Sequence, residues 1–376
     1  MSHGAVRVDG TGAWVHQGGA YRARGDWGRP ALSQTRPLLE HVLRSRVSAL
    51  PGVTVEDGVT VESVLQSGRR VTGVVADGRA RPADLVVDCS GRSSRIAHDL
   101  AATSVLDPPV TRIGIDIGYA SFTMRRSPGD FEGHFVVCVE NPGSFRGGAV
   151  LPVEGDRWQV TLAGVHGDAP PATDAGVAEF AASLPTPAVG QLIARCERLS
   201  DVATYRFPSS QRRHYEKLRD LLPGLVTLGD ASSNFDPIYG QGMTSSALQA
   251  AALGDVASRV GVASPVLPKR FHRKAARIID APWRIAVGGD FGHPATVGPK
   301  PLGTAELNGY LQRVVRASHA SVPVARAFNR VLQLADPPTA LVHPALVVRV
   351  LRAAGRSPVA TGADVRHPQV GPPRDA

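Results

Sequence analysis

Two spacings of apolar residues alternate along this chain. In SQTRPLLEHVLRSRVSAL (33–50), Leu39, Val42, Leu43, Val47 and Leu50 fall on one face of a helix. Ser33 or Thr35 suits its N-cap, Pro37 suits its first turn, and Pro51-Gly52 ends it. Short strand patterns follow at 53–58, 60–66 and 69–77, divided by Asp57-Gly58 and Gly68, which predicts a small hairpin meander. Leu85–Asp88 reads as a buried strand running into a Ser-Gly turn and a helix start. From about 105 to 205 the strands lengthen, at 111–126, 133–140, 147–154 and 156–165, with helices near 173–184 and 186–198. This predicts a β-rich unit with its own core. Leu225–Leu228 is another buried strand, and a helix of small residues starts near Met243. Helical patterns then occupy 271–291, 304–318, 322–334 and 342–353. Residues 1–30 hold short strand-like pieces and do not read as the start of an independent domain. The tail from Gly355 is Pro, Gly and Arg without periodicity, which predicts disorder.

Composition narrows the class. The chain has 376 residues, 43% hydrophobic and 20% charged, enough for a large core in more than one layer. The charge of +9 comes from 42 basic against 33 acidic residues, mostly Arg spread along the chain. This reads first as arginine on a solvated surface and otherwise as a field that attracts anionic cofactors, and no dense basic block interleaved with aromatics points to nucleic acid. The 3 cysteines are far apart, which fits a reducing, cytoplasmic setting. No apolar run is long enough to span a membrane and the N-terminus lacks an apolar leader core. The 12 histidines include no HxxxH or HExxH pair, so no metal is expected. A GxSxG elbow is absent too.

Three stretches carry candidate chemistry. In PGLVTLGDASSNFDPIYGQGMTSSALQA (223–250), Gly229-Asp230 directly follows a strand, placing an acid at a sheet's carboxyl edge, where α/β folds bind ligands. The acid can accept from ribose hydroxyls. Pro237, Gly240, Gln241, Gly242 and Met243 then lead into a helix whose first N–H groups can face an anion or an electron-rich ring edge. An ordinary strand–turn–helix is the alternative. In the second stretch, Ser90-Gly91-Arg92-Ser93-Ser94-Arg95, hydroxyls and two guanidiniums follow a strand. These suit a pyrophosphate or a 2′-phosphate, or simply a capped helix with solvated arginines. Third, Arg36 opposes the dipole of the helix it starts, which hints at an anion or a negative neighbour there.

Together these pieces resemble the flavoprotein hydroxylases, FAD-dependent monooxygenases built like p-hydroxybenzoate hydroxylase, and their geranylgeranyl-reductase-like and tryptophan-halogenase-like relatives. LVTLGDASSNFDPIYGQG is similar to the family's second FAD motif, which implies Gly229 and Asp230 at the FAD ribose. The same motif implies Pro237, Gly240, Gln241, Gly242 and Met243 beside pyrophosphate and flavin. LVVDCSGRSSR resembles the middle motif, implying roles for Gly91, Arg92, Ser94 and Arg95, with Ser90 standing where an Asp is usual. Arg36 with Leu39 and Leu43 is similar to the helix whose Arg reaches FAD phosphate. The family's opening strand–GxGxxG–helix is not found in the sequence, so the adenosine half of the cradle is expected to be missing, through a truncated gene model.

The resemblance implies an α/β (α+β) fold. Its parts are an incomplete Rossmann-type FAD-binding domain (1–104 and 206–262), an inserted β-rich substrate domain (105–205), a helical C-terminal region (263–354) and a disordered tail (355–376). It implies a monooxygenase that hydroxylates or epoxidises a small apolar organic molecule with FAD, NAD(P)H and O2. A flavin-dependent prenyl-chain reductase, or an inactive fragment with an incomplete FAD site, are the alternatives. Halogenation is less favoured, because no WxWxIP-like segment or matching catalytic Lys occurs. No general base stands out; His134, His166 and Tyr239 are candidates that each read more readily as structural.

Overall fold

In a computed structural model, residues 3–28, 30–103, 105–139, 143–354 and 367–370 are described. An eight-stranded sheet forms the middle of the molecule. Its spatial order is Ser233–Asn234, Ala203–Arg213, Val110–Arg125, Arg157–Gly164, Arg146–Val153, Phe135–Cys138, Ala13–Gln17 and Ala20–Tyr21. Every neighbouring pair is antiparallel except Phe135–Cys138 with Ala13–Gln17. Residues 13–21, assigned from sequence to the nucleotide-binding part, therefore extend the β-rich sheet instead. Strand pairing across more than a hundred residues is invisible to local pattern.

The strand Val110–Arg125 serves three hydrophobic clusters. Its buried positions are Ile113, Ile115 and Ile117 in the first half and Ala120, Phe122 and Met124 in the second. A side-chain period of two cannot change parity without an extra residue. The register slips between Phe207 and Ser209 of the partner strand, and Asp116 at that point has φ 45°. Phe122 and Met124 then meet Trp158, Phe180 and Leu192 under the helices Asp174–Ala182 and Ala188–Arg195. Ile113 instead joins the core built on the helix Leu267–Asp290. That helix buries Phe271, Ala275, Ile279, Trp283 and Val287, one every four residues, against Val226 and Phe235.

A separate two-stranded parallel sheet pairs Val86–Asp88 with Leu225–Thr227. Beside it lies an antiparallel meander of Val61–Ser67, Arg70–Ala76 and Arg79–Pro82. The expected strand at 53–58 does not form, and Arg79–Pro82 takes the third place; Val53 and Val55 stay exposed, with no neighbouring strand to cover them. The helix Arg36–Ser48 forms with Thr35 as its cap, but buries none of its residues: Leu43 and Val47 are 53% and 45% exposed. Residues 367–370, expected in the disordered tail, are packed: Phe131 donates its N–H to Gln369 at 3.0 Å and Val370 joins the main core. The rest of that tail lies outside the described residues.

Phe271 is wholly buried in the core that carries the Leu225–Thr227 strand. Replacing it by Ala should cost about 3–5 kcal/mol through lost burial and a residual cavity. Urea unfolding checks this, and a cost below about 1 kcal/mol would contradict the packing described.

Candidate functional site

At the end of Leu225–Thr227 the chain turns through Gly229 at φ 65°, where a side chain would press on Ser246 of the following helix, Gly242–Val260. The Gly229 N–H donates to the side chain of Gln249, 3.2 Å away, and Gln249 in turn donates to Ser245 at 3.1 Å. These bonds draw the helix start back onto the strand end, so Asp230 and the N-terminus of Gly242–Val260 share one edge.

Asp230 lies where solvent reaches it, yet the protein packed round it disfavours the charged form and pushes its pKa up; Arg36 and Arg92 oppose this through their charge. Residues from all three candidate stretches thus lie within electrostatic reach of one another. Arg92 donates to the carbonyl and hydroxyl of Ser209 at 2.5 and 2.8 Å and lies over the Phe207 ring. Arg112 donates to Gln211 at 3.1 Å, and Arg213 to the Ala231 carbonyl at 3.0 Å. Burial lowers the pKa of Arg92 and of Arg213, and each is lowered further by Arg112. Like charges are gathered here on neutral acceptors, an arrangement that an anion relieves. Arg112 and Arg213 escaped the sequence reading; the sole signal was Arg212-Arg213 at a strand end, and Arg112 gave none.

The other predicted residues divide. Gly91 and Gly240 have φ 87° and 66°, and a side chain on either, or on Gly242, would enter open space. Gly242 has neither a positive φ nor a crowding neighbour, so the protein's own packing does not call for glycine there. Met243 is 60% exposed at the helix start. Gln241 is buried and donates to the Leu332 carbonyl at 2.8 Å, fastening the loop to the helix Val322–Leu332. Ser94 faces inward: it caps Arg95–Ala102 and donates to Asp88 at 2.5 Å. Arg95 runs along its own helix to within 3.9 Å of Asp99. Arg36 pairs with Glu40 at 2.6 Å, the negative neighbour its position suggested. Its helix start is anchored by Glu154, which accepts from the Thr35 N–H at 3.0 Å and from the Thr35 hydroxyl.

Pro237, Ile238 and Tyr239 turn toward a cavity of about 500 Å3. Its walls are the large sheet (Tyr119, Val137, Ala149, Thr161), the segment around Val8 and Trp27, and Phe328 and Leu332. Of the candidate bases, Tyr239 lines this cavity. His134 instead meets Arg24 at 3.0 Å, and His166 sits against Phe145 and His293.

A sequence profile described as tryptophan halogenase matches residues 29–108, which include Arg36 and Gly91–Arg95. Protein Rv3254 of Mycobacterium tuberculosis (strain ATCC 25618 / H37Rv) is 30% identical over 319 residues, 81% of this chain and 67% of that protein. The chain belongs to the flavoprotein hydroxylase-like family. Solved flavoprotein structures share its fold at low identity. A triple mutant of the flavin-dependent brominase Bmp2 aligns with TM-score 0.65 and 14% identity, over 94% of this chain and 83% of that one. PqsL, a probable FAD-dependent monooxygenase from Pseudomonas aeruginosa, aligns with TM-score 0.59 and 16% identity, over 77% and 80%. The 2-methyl-3-hydroxypyridine-5-carboxylic acid oxygenase aligns with TM-score 0.56 and 15% identity, over 77% and 80%.

The turn that divides the Asp230 edge from the cavity carries a buried acid pair. Asp236 and Asp290 are 2% and 1% exposed and interact with each other, and Asp236 accepts from the Ile238 N–H at 2.8 Å. Burial pushes Asp236 from 3.8 up to about 6, with the hydrogen bonds opposing it. The folded protein therefore holds more protons than the unfolded chain between these values, and this pair's contribution to stability falls as pH rises through about 4 to about 6. Asp236→Asn removes that dependence. The melting temperature of wild type minus that of the variant should decline across the window; a flat difference contradicts the raised pKa of Asp236.

Proposed function

We propose that this chain is an FAD-dependent oxidoreductase of the monooxygenase type, acting on a small apolar organic substrate with NAD(P)H and O2. The observation that carries the reading is the convergence of Asp230, Arg36 and Arg92, with Arg112 and Arg213, beside the open glycine edge of the Gly242 helix. The residues present fit the cofactor: the arginines suit its phosphates, and the space at Gly240 and Gly242 suits a planar ring approaching backbone.

Asp230 accepts from ribose hydroxyls, a role helped by its solvent-facing position at the strand end. Arg36 and Arg92 supply the charge opposite a pyrophosphate. The N–H groups of Gly242 and Met243, together with the helix dipole, stabilise negative charge at the ring edge by preorganised donors. The bound flavin would supply the redox and oxygen chemistry. The cavity beyond Pro237–Tyr239 receives the substrate and keeps water away. That cavity has no lysine among its described lining, which favours oxygen transfer to substrate over halogenation.

Titration of the purified chain with FAD, read by flavin fluorescence and by thermal shift, tests the reading. Saturable binding is expected. Asp230→Ala should weaken it by about 1.5–3 kcal/mol, roughly ten- to a hundredfold, the range for a hydrogen bond to a charged group. Absence of FAD binding, or binding indifferent to both Asp230→Ala and Arg92→Ala, overturns it.

A further inference from the structure

The cavity beside Pro237–Tyr239 contains one feature that an apolar pocket does not need. Arg22 lines it and is 5% exposed, the one cation in the lining among the described residues. Its guanidinium lies 4.7 Å from the centre of the Phe328 ring and donates to the side-chain oxygen of Gln17, while its Nε has no partner. Both contacts are with neutral groups. Burial lowers its pKa to about 10, which leaves the charge in place at neutral pH. The carboxylate that also lines the cavity, Asp9, is engaged elsewhere: it accepts from the N–H of Thr11 at 2.9 Å and from the hydroxyl of Thr11 at 2.5 Å, and its Coulombic partner is Arg7. His319, which bonds the Gln17 carbonyl at 2.8 Å, adds no compensation, because burial and then the charge of Arg22 hold it below its ordinary pKa.

A buried guanidinium without a counter-ion costs several kcal/mol of lost hydration. Its planar fork matches a carboxylate in two parallel hydrogen bonds. A dianionic phosphate would call for a second cation, and the described lining holds none. We propose that the substrate of this cavity is an organic monoacid, its carboxylate paired with Arg22 and its apolar body set among Val137, Ile238 and Phe328. The inference rests on reading this cavity as the substrate site, but the recognition it describes needs no flavin.

Calorimetric titration of the purified chain with 2-naphthoate and with 2-naphthamide, equal in shape and different in charge, tests it. One naphthoate per chain should bind at least tenfold more tightly than the amide. Arg22→Met should abolish that preference while leaving amide affinity within about threefold. Arg22→Lys, which keeps the charge and loses the fork, should retain part of it. Equal affinities in wild type, a preference that survives Arg22→Met, or no binding of either compound overturns the proposal. Should Arg22→Met fail to fold, the wild-type ratio and Arg22→Lys decide the matter: a ratio near one, or a Lys variant that gains preference, overturns it. A chain that prefers naphthoate but binds no FAD upholds the acid site and sinks the flavin reading; the reverse pair of results does the opposite.

Discussion

Gln249 is wholly buried, and its side-chain oxygen accepts from the N–H of Gly229. A buried amide with an unmet backbone donor beside it is costly, so this bond leaves the strand end and the helix Gly242–Val260 little freedom to part. The intervening loop then closes on itself. Asp236 caps the turn Pro237–Tyr239, and Gln241 holds the Leu332 carbonyl. Through these contacts an acid at a strand terminus and the N–H groups at a helix terminus share one edge.

Around that edge the protein gathers arginines from four elements that are distant in sequence. Arg36 starts a helix, Arg92 follows a strand, and Arg112 and Arg213 sit on adjacent long strands. Arg36 is paired with Glu40, whereas hydrogen bonds to Ser209, Gln211 and Ala231 orient the guanidiniums of Arg92, Arg112 and Arg213 without neutralising them. Orientation by neutral acceptors preserves the electrostatic work available for an anionic ligand. The same logic recurs at Arg22, where Gln17 and Phe328 position a charge they do not cancel.

The long strand Val110–Arg125 links this edge to the cavity. The bulge at Asp116, steadied by the two-pronged pair with Arg206 at 2.7 and 2.8 Å, switches which face is buried. Ile113 packs toward the helix Leu267–Asp290, Ile115 and Ile117 pack with Val165 and Phe207, and the second half of the strand packs toward Trp158. Tyr119, just past the switch, faces the cavity. A single strand thus sets the distance between the Asp230 edge and the cavity.

Local chemistry was readable along the chain wherever one residue type met one backbone demand. The buried strand at Leu225, the Thr35 cap and the glycine loop before the Gly242 helix all express constraints within a few neighbours. The family resemblance came from such short signals in series. Where Ala13–Gln17 pairs, which charges surround Asp230 and that Arg22 meets Phe328 in the cavity were decided by contacts across more than a hundred residues. Sequence by itself determined which segments take strand or helix and which acid ends a strand, because steric limits and hydrogen-bond closure act locally. Tertiary structure alone decided which charges share a low-dielectric space, because desolvation and Coulomb energy depend on distance in three dimensions and not on separation along the chain.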